Sequence, residues 1–259
     1  MAFKIKDAFL ERWSRYFGRA ELPIVFFYTD QEIEAETITP PQGHRCVIAD
    51  IAKARRGRTV RLDATSLGCS GARNYLGFSR ERMPDFEYFL SCGIPGRMEG
   101  ERYKKTPELV RQFLANAPEF EAPARFVVFK RWDTLEPSDE PEAVIFFASA
   151  DVLAGLFTLA NFEEADPFGV ITPFAAGCGT MVEYPYLENR SQRPRAVLGS
   201  FDVSARPCLR SDELTFAVPM KRFVRMVENM DESFLIAHDW EKVRRRMDSG
   251  KSGRSETTP

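Results

Sequence analysis

Five cysteines are spread through 259 residues, and three of them have glycine within three positions in two stretches that echo each other. The earlier stretch runs Gly43-His44-Arg45-Cys46, then Arg58-Thr59-Val60-Arg61-Leu62, then Cys69-Ser70-Gly71-Ala72-Arg73. The later one runs Ala176-Gly177-Cys178-Gly179, then Arg195-Ala196-Val197-Leu198, then Asp202-Val203-Ser204-Ala205-Arg206. Cys46 and Cys69 are 23 residues apart, Cys178 and Asp202 are 24 apart, and each stretch ends four residues later in Ala-Arg. A doubled unit brings equivalent positions together around a pseudo-twofold axis. Soft thiolates on glycine-flanked loops suit a metal, so Cys46, Cys69, Cys178 and the Asp202 carboxylate are candidate ligands for an iron–sulfur cluster or zinc. Cys208 or Cys92 could complete the set instead. The competing reading is that free cysteines pack in a core as small hydrophobes, and the absence of any CxxC pair keeps that reading open.

Other polar groups suggest a second chemistry. Arg73 and Arg206 occupy equivalent places and could grip a carboxylate or phosphate with paired guanidinium forks, or bind backbone carbonyls as structural arginines. The stretch 91–107 carries Gly93, Gly96 and Gly100 with Arg97, Arg102, Lys104 and Lys105 just before Thr106-Pro107-Glu108, an N-cap with proline in the first turn. Such a loop could cradle an anion or remain a solvated charged loop. It is not a Walker A motif, and no Gly-x-Ser-x-Gly elbow, His-Glu-x-x-His or dinucleotide fingerprint is present. Only His44 and His238 are available as histidine bases, and His44 lies two residues from Cys46.

The elements that must hold these groups follow from hydrophobic spacing. Residues 3–17 form an amphipathic helix stopped by Gly18, and Ile24 to Tyr28 form a buried strand. A helix starts near Cys46 and ends at Gly57, a short strand spans Thr59 to Leu62, and Cys69 follows in a Gly-rich turn. Further strands fall at 124–132, 143–148, 195–202 and 214–218, with helices after Thr106, at 150–161, after Pro219 and at 239–247. The pattern predicts an α/β or α+β protein of two pseudo-symmetric repeated lobes packed as one globular unit. The expected organisation is an N-terminal helix over 1–20, a first lobe over 21–135, a polar linker over 136–142, a second lobe over 143–238, and a basic helix with a disordered tail over 239–259.

Bulk composition narrows the function classes. Hydrophobic residues make up 44% and charged residues 29%, as in ordinary globular proteins, and the net charge of −2 provides no global field for nucleic acid or an anionic membrane. No apolar run reaches the roughly 20 residues that cross a bilayer, and the polar start Met1 to Asp7 has no signal-peptide core. An odd cysteine count in a chain this long fits free thiols or a metal site in a reducing compartment, so the cytoplasm is expected.

The chain resembles the domain of unknown function 169 family of archaeal and bacterial proteins. The matching pieces are Pro23-Ile24-Val25, Arg45-Cys46 with Ala54-Arg55-Arg56-Gly57, Cys69-Ser70-Gly71-Ala72 with Leu76-Gly77-Phe78, and Ala205-Arg206 with Asp212-Glu213-Leu214 and Val218-Pro219. The resemblance spans roughly 20–230 and implies a fold class and a cysteine-lined site, without a reaction. The family pattern has another cysteine where this chain has Asp202, a departure that weakens a simple four-cysteine cluster. The leading expectation is therefore a metal or iron–sulfur site between the lobes with a redox or cofactor-handling role and a possible redox partner. The alternative is a metal-free binding protein or enzyme for a small anion, using Arg73, Arg206, Arg102, Lys104 and Lys105.

Overall fold

A run such as Ile24-Val25-Phe26-Phe27 is apolar toward both sides of an extended chain, so a strand made from it needs cover on both faces. The protein meets that need with a central sheet. The computed structural model describes residues 2–36, 38 and 45–249. His44 and most of the expected disordered tail lie outside the described residues.

In chain order the elements are α1 (Lys6–Phe17), β1 (Ile24–Thr29), α2 (Val47–Ala54), β2 (Val60–Leu62), α3 (Ser70–Tyr75), α4 (Phe86–Phe89), α5 (Pro107–Asn116) and β3 (Phe126–Arg131). They continue with β4 (Ala143–Ala148), α6 (Ala150–Ala160), β5 (Val170–Ile171), a π-helical turn over Gly179–Glu183 that runs into α7 (Tyr184–Glu188), β6 (Ala196–Gly199), β7 (Leu214–Pro219), α8 (Met220–Asn229) and α9 (His238–Ser249). The seven strands form one mixed sheet in the order β2-β3-β1-β4-β7-β6-β5, antiparallel except for the β5–β6 pair. The protein is thus a mixed α/β fold in which both halves build a single sheet, joined where β1 pairs β4 with Ile24 opposite Ile145 and Val25 opposite Val144.

Strand alternation divides the core in two. On one face Val25, Val144, Phe146, Phe216 and Val218 pack against Phe9 and Trp13 of α1, Leu156 of α6, Phe223 of α8 and Trp240 of α9. On the other face Phe26, Phe129, Ile145 and Ala217 pack against Ile48 and Ile51 of α2, Ala72 of α3, and Met181 and Val182 of the π-helical turn. Cys46, Cys69, Cys178 and Cys208 all belong to this second face. Among the described residues no helix is long and apolar enough to cross a membrane.

The connection over 136–142, expected as a polar linker, is pinned to the sheet. The Asp139 carboxylate is buried, accepts from Lys130 Nζ at 3.0 Å, and also accepts from the Glu136 amide at 2.8 Å. Lys130 is itself buried on β3 and makes a second bond to Glu136 at 2.7 Å. Removing one member of a buried pair strands the other charge, which costs more than the pair contributes. Lys130→Met is therefore expected to lower unfolding stability in urea by about 3–5 kcal/mol. The double variant Lys130→Met with Asp139→Leu is expected to recover most of the loss.

Candidate functional site

The second sheet face acquires its thiols from four separate segments. Cys46 is the residue before α2, and Cys69 is the residue before α3, both with extended backbone. Cys178 immediately precedes the π-helical turn, and Cys208 ends the 3-10 turn Arg206–Cys208 after β6.

Glycines flanking Cys178 allow these segments to close on one another. A Cβ at Gly177 would lie 2.8 Å from Ile48 Cδ1 on α2, and one at Gly179 would lie 2.7 Å from Tyr75 Cδ1 on α3. Their small size is used for contact between the halves, where the sequence had suggested turns around a metal. The π-helical turn has a local cause: Pro185 cannot donate to a carbonyl one turn back, and the Tyr184 amide reaches five residues back to Gly179 O. This widened turn sets Cys178 toward α2 and α3 and places Glu183 on the α3 side.

The thiols are mutually sensitive. Burial pushes the Cys46 thiol up to about 11, and its contacts with Cys208, including a side-chain hydrogen bond, and the nearby Cys69 add to that, while the Ile48 amide opposes it. Cys178 is buried and raised well above an ordinary thiol, first by desolvation, then by Cys69, Cys46 and Asp202. All five cysteines are free; Cys92 is exposed and stands apart on the 91–100 hairpin, whereas Cys208 joins Cys46. Among the described residues, no group of three or more His, Cys, Asp or Glu side chains is placed to hold a metal ion.

Asp202 neighbours this cluster but spends its carboxylate on the surrounding loops. Oδ1 accepts from the Ser204 hydroxyl at 2.9 Å, the Ser204 amide at 3.2 Å and the Tyr103 hydroxyl at 3.2 Å, and Oδ2 accepts from the Gly177 amide at 3.4 Å. It ties the segment after β6 to the Cys178 segment and to residue 103.

The arginines are largely engaged with backbone. Arg73 donates through Nε and Nη2 to Leu67 O at 3.1 and 2.9 Å. Arg206 donates to the carbonyls of Glu213, Arg210 and Ser211 at 2.5, 2.9 and 3.1 Å. The two guanidinium groups therefore fasten their own loops. In the 91–107 stretch the cations also diverge: Arg97 pairs with Asp85 at 2.5 Å, and Lys104 Nζ lies 4.0 Å from the Phe174 ring centre and 4.7 Å from that of Phe113. Arg102 and Lys105 are exposed. The amide end of α5 is capped from within, Thr106 Oγ1 accepting from Leu109 N at 3.2 Å. His238 is an exposed residue at the start of α9, away from the thiols in the sequence and in the fold.

Spacing could not reveal Glu183. It is 4% exposed as a whole residue, and the influences on its carboxyl are burial and the charge of Arg82. Desolvation raises it to about 7 against an opposing pull from Arg82. Tyr75 links it to the thiols: that phenol is raised by burial first, then by Cys178 and Glu183. The available sequence signal was a lone acid within the otherwise uncharged run 176–187.

Thiolate formation governs alkylation, because the thiol form is unreactive. With iodoacetamide at pH 8, exposed Cys92 is expected to react first, with Cys46 and Cys178 lagging. The Cys46 rate should then climb about tenfold per pH unit until pH approaches its raised titration point. Site-resolved mass spectrometry of quenched time points measures both effects.

No curated protein and no solved structure matches the chain. A family model does match, over residues 21–229, and its description is DUF169, uncharacterised ArCR. That span contains β1 through β7, every cysteine discussed here and Glu183; the chain belongs to the DUF169 family.

Proposed function

We propose that this chain is a thiol-dependent metal-handling protein of a reducing compartment, in which Cys46, Cys69, Cys178 and Cys208 take up a soft metal ion or an iron–sulfur cluster and serve a redox or cofactor-handling role. The observation that carries the reading is the convergence of four thiols from four distant segments on one face of the sheet. Burial and mutual repulsion keep the Cys46 and Cys178 thiols protonated while no cation is bound. A soft cation supplies the missing positive charge, displaces the protons and makes binding pH-dependent. The present arrangement is not a ligating cage, so uptake requires side-chain rotation. Cys46, Cys69 and Cys208 are each only partly buried, which leaves room for it. Cys208 replaces Asp202 in the ligand set because the carboxylate is committed to Tyr103, Ser204 and Gly177.

Strand order supports reading the chain as an internal duplication around this site. The series β1-β3-β2 on one side of the central pair is matched by β4-β7-β6 on the other. Cys46 precedes the helix that leads to β2, as Cys178 precedes the helical segment that leads to β6; Cys69 follows β2, as Asp202 follows β6.

Protein purified without oxygen is expected to contain iron or zinc in stoichiometric amount, with charge-transfer absorption if iron is present. Cys69→Ser and Cys208→Ser should each reduce that content, and uptake by stripped protein should weaken as pH falls. Finding neither metal, with content unaltered by either substitution, would remove the reading.

A further inference from the structure

A cleft opens beside the thiol face, between α3, the segment containing Arg82, α5 and the π-helical turn. Its walls include Asn74, Tyr75, Arg82, Phe113, Glu183 and Tyr184, and it opens to solvent. Glu183 is the unexplained group. The fully shielded side-chain oxygen left without a partner among the described residues is Ser191 Oγ, so the Glu183 oxygens, on a residue 4% exposed overall, keep access to the cleft that the residue lines.

We propose that the cleft binds a small organic amine in its ammonium form, with the Glu183 carboxylate as counter-ion and the Tyr75, Tyr184 and Phe113 rings enclosing the apolar body. Three observations select this class. Aromatic ring faces attract cations, and a carboxylate at the base of an aromatic pocket gives the charge a fixed partner. The same rim already holds an ammonium group: Lys104 Nζ lies over Phe113 and Phe174 at 4.7 and 4.0 Å. The charges in the lining are Glu81, Glu183 and Arg82, with the Lys104 ammonium beside Phe113, and the buried one among them is the Glu183 carboxyl. This inference does not depend on metal uptake by the thiols.

Several titratable groups act on or lie near Glu183: Arg82 from the segment after α3, Tyr75 from α3, Tyr184 beside it and Tyr28 from β1, with Glu81 in the same lining. Among these, Arg82 favours the carboxylate. Because burial raises Glu183 to about 7, the carboxyl is protonated below that pH and must lose its proton to accept an ammonium ion. Affinity should thus fall by about tenfold per pH unit below neutrality and level off above it, up to the titration of the amine itself.

The test uses calorimetric titration of the full chain with benzylamine, benzyl alcohol and benzoate at pH 5.5, 6.5 and 7.5. Benzylamine is expected to bind at least about tenfold tighter than the alcohol or benzoate at pH 7.5, since only it forms the ion pair. Glu183→Gln, close in shape, should abolish both that preference and the pH dependence. Arg82→Ala removes the competing cation from an exposed position and should strengthen amine binding. The inference is overturned if benzylamine fails to bind, if the alcohol or benzoate binds as well, or if Glu183→Gln leaves amine affinity unchanged. These readouts are taken on metal-stripped and metal-loaded protein alike, so failure of the thiol reading leaves them interpretable.

Discussion

Antiparallel pairing of β1 with β4 is the constraint on which the architecture depends. It joins strands from the two halves at the centre of the sheet, with Phe26 opposite Ala143 and the Glu142 amide bonded to Phe26 O at 2.8 Å. A slip of β1 by one residue would turn Val25 toward α2 and Phe26 toward the α1 face while β4 stayed in place, mixing two differently shaped cores. Register therefore determines which face receives the helices of the first core and which receives the thiols. The buried Asp139–Lys130 contact holds the turn between β3 and β4 and reinforces the same alignment.

The functional face owes its character to close approach between chain halves. Gly177 and Gly179 let the π-helical segment lie against α2 and α3, and the wider turn before Pro185 carries Glu183 to the cleft. Tyr75 stands between the two chemistries, with Cys178 and Glu183 both acting on its phenol. Thiols and carboxyl are thus neighbours through one aromatic side chain, and a change in charge on either side alters the electrostatic setting of the other.

Much of the scaffold was legible from hydrophobic pattern. Ala143–Ala148 is a strand over the residues that its unbroken apolar run marks, and the helix beginning beside Cys46 ends before Gly57, whose positive φ of 82° suits glycine. Thr106-Pro107 starts α5 as its capping chemistry dictates. Shorter elements were obscured: α3 is six residues long and contains Gly71, which read as a turn, and the 177–188 helical segment contains two glycines and a proline that mask its periodicity. Site residues were less legible because their assignment needs orientation. Identical spacing of Arg73 and Arg206 left ligand-binding and backbone-binding roles open, and Asp202 was a candidate by its repeat position, whereas its actual bonds join residues 99 and 25 positions away. Cys208 offered no repeat partner, yet it meets Cys46.

Ser200 has a further consequence. It is a fully buried non-glycine residue with φ of 65°, held by a bond from its amide to Thr180 Oγ1 at 3.2 Å and by a hydroxyl pairing with Thr215 at 2.8 Å. The strained backbone is stable only while the π-helical segment and β7 supply those partners. Residue 200 precedes Thr215 in the chain, so the loop that leads from Ser200 to Cys208 gains its last hydrogen-bonded anchor only when β7 joins the sheet.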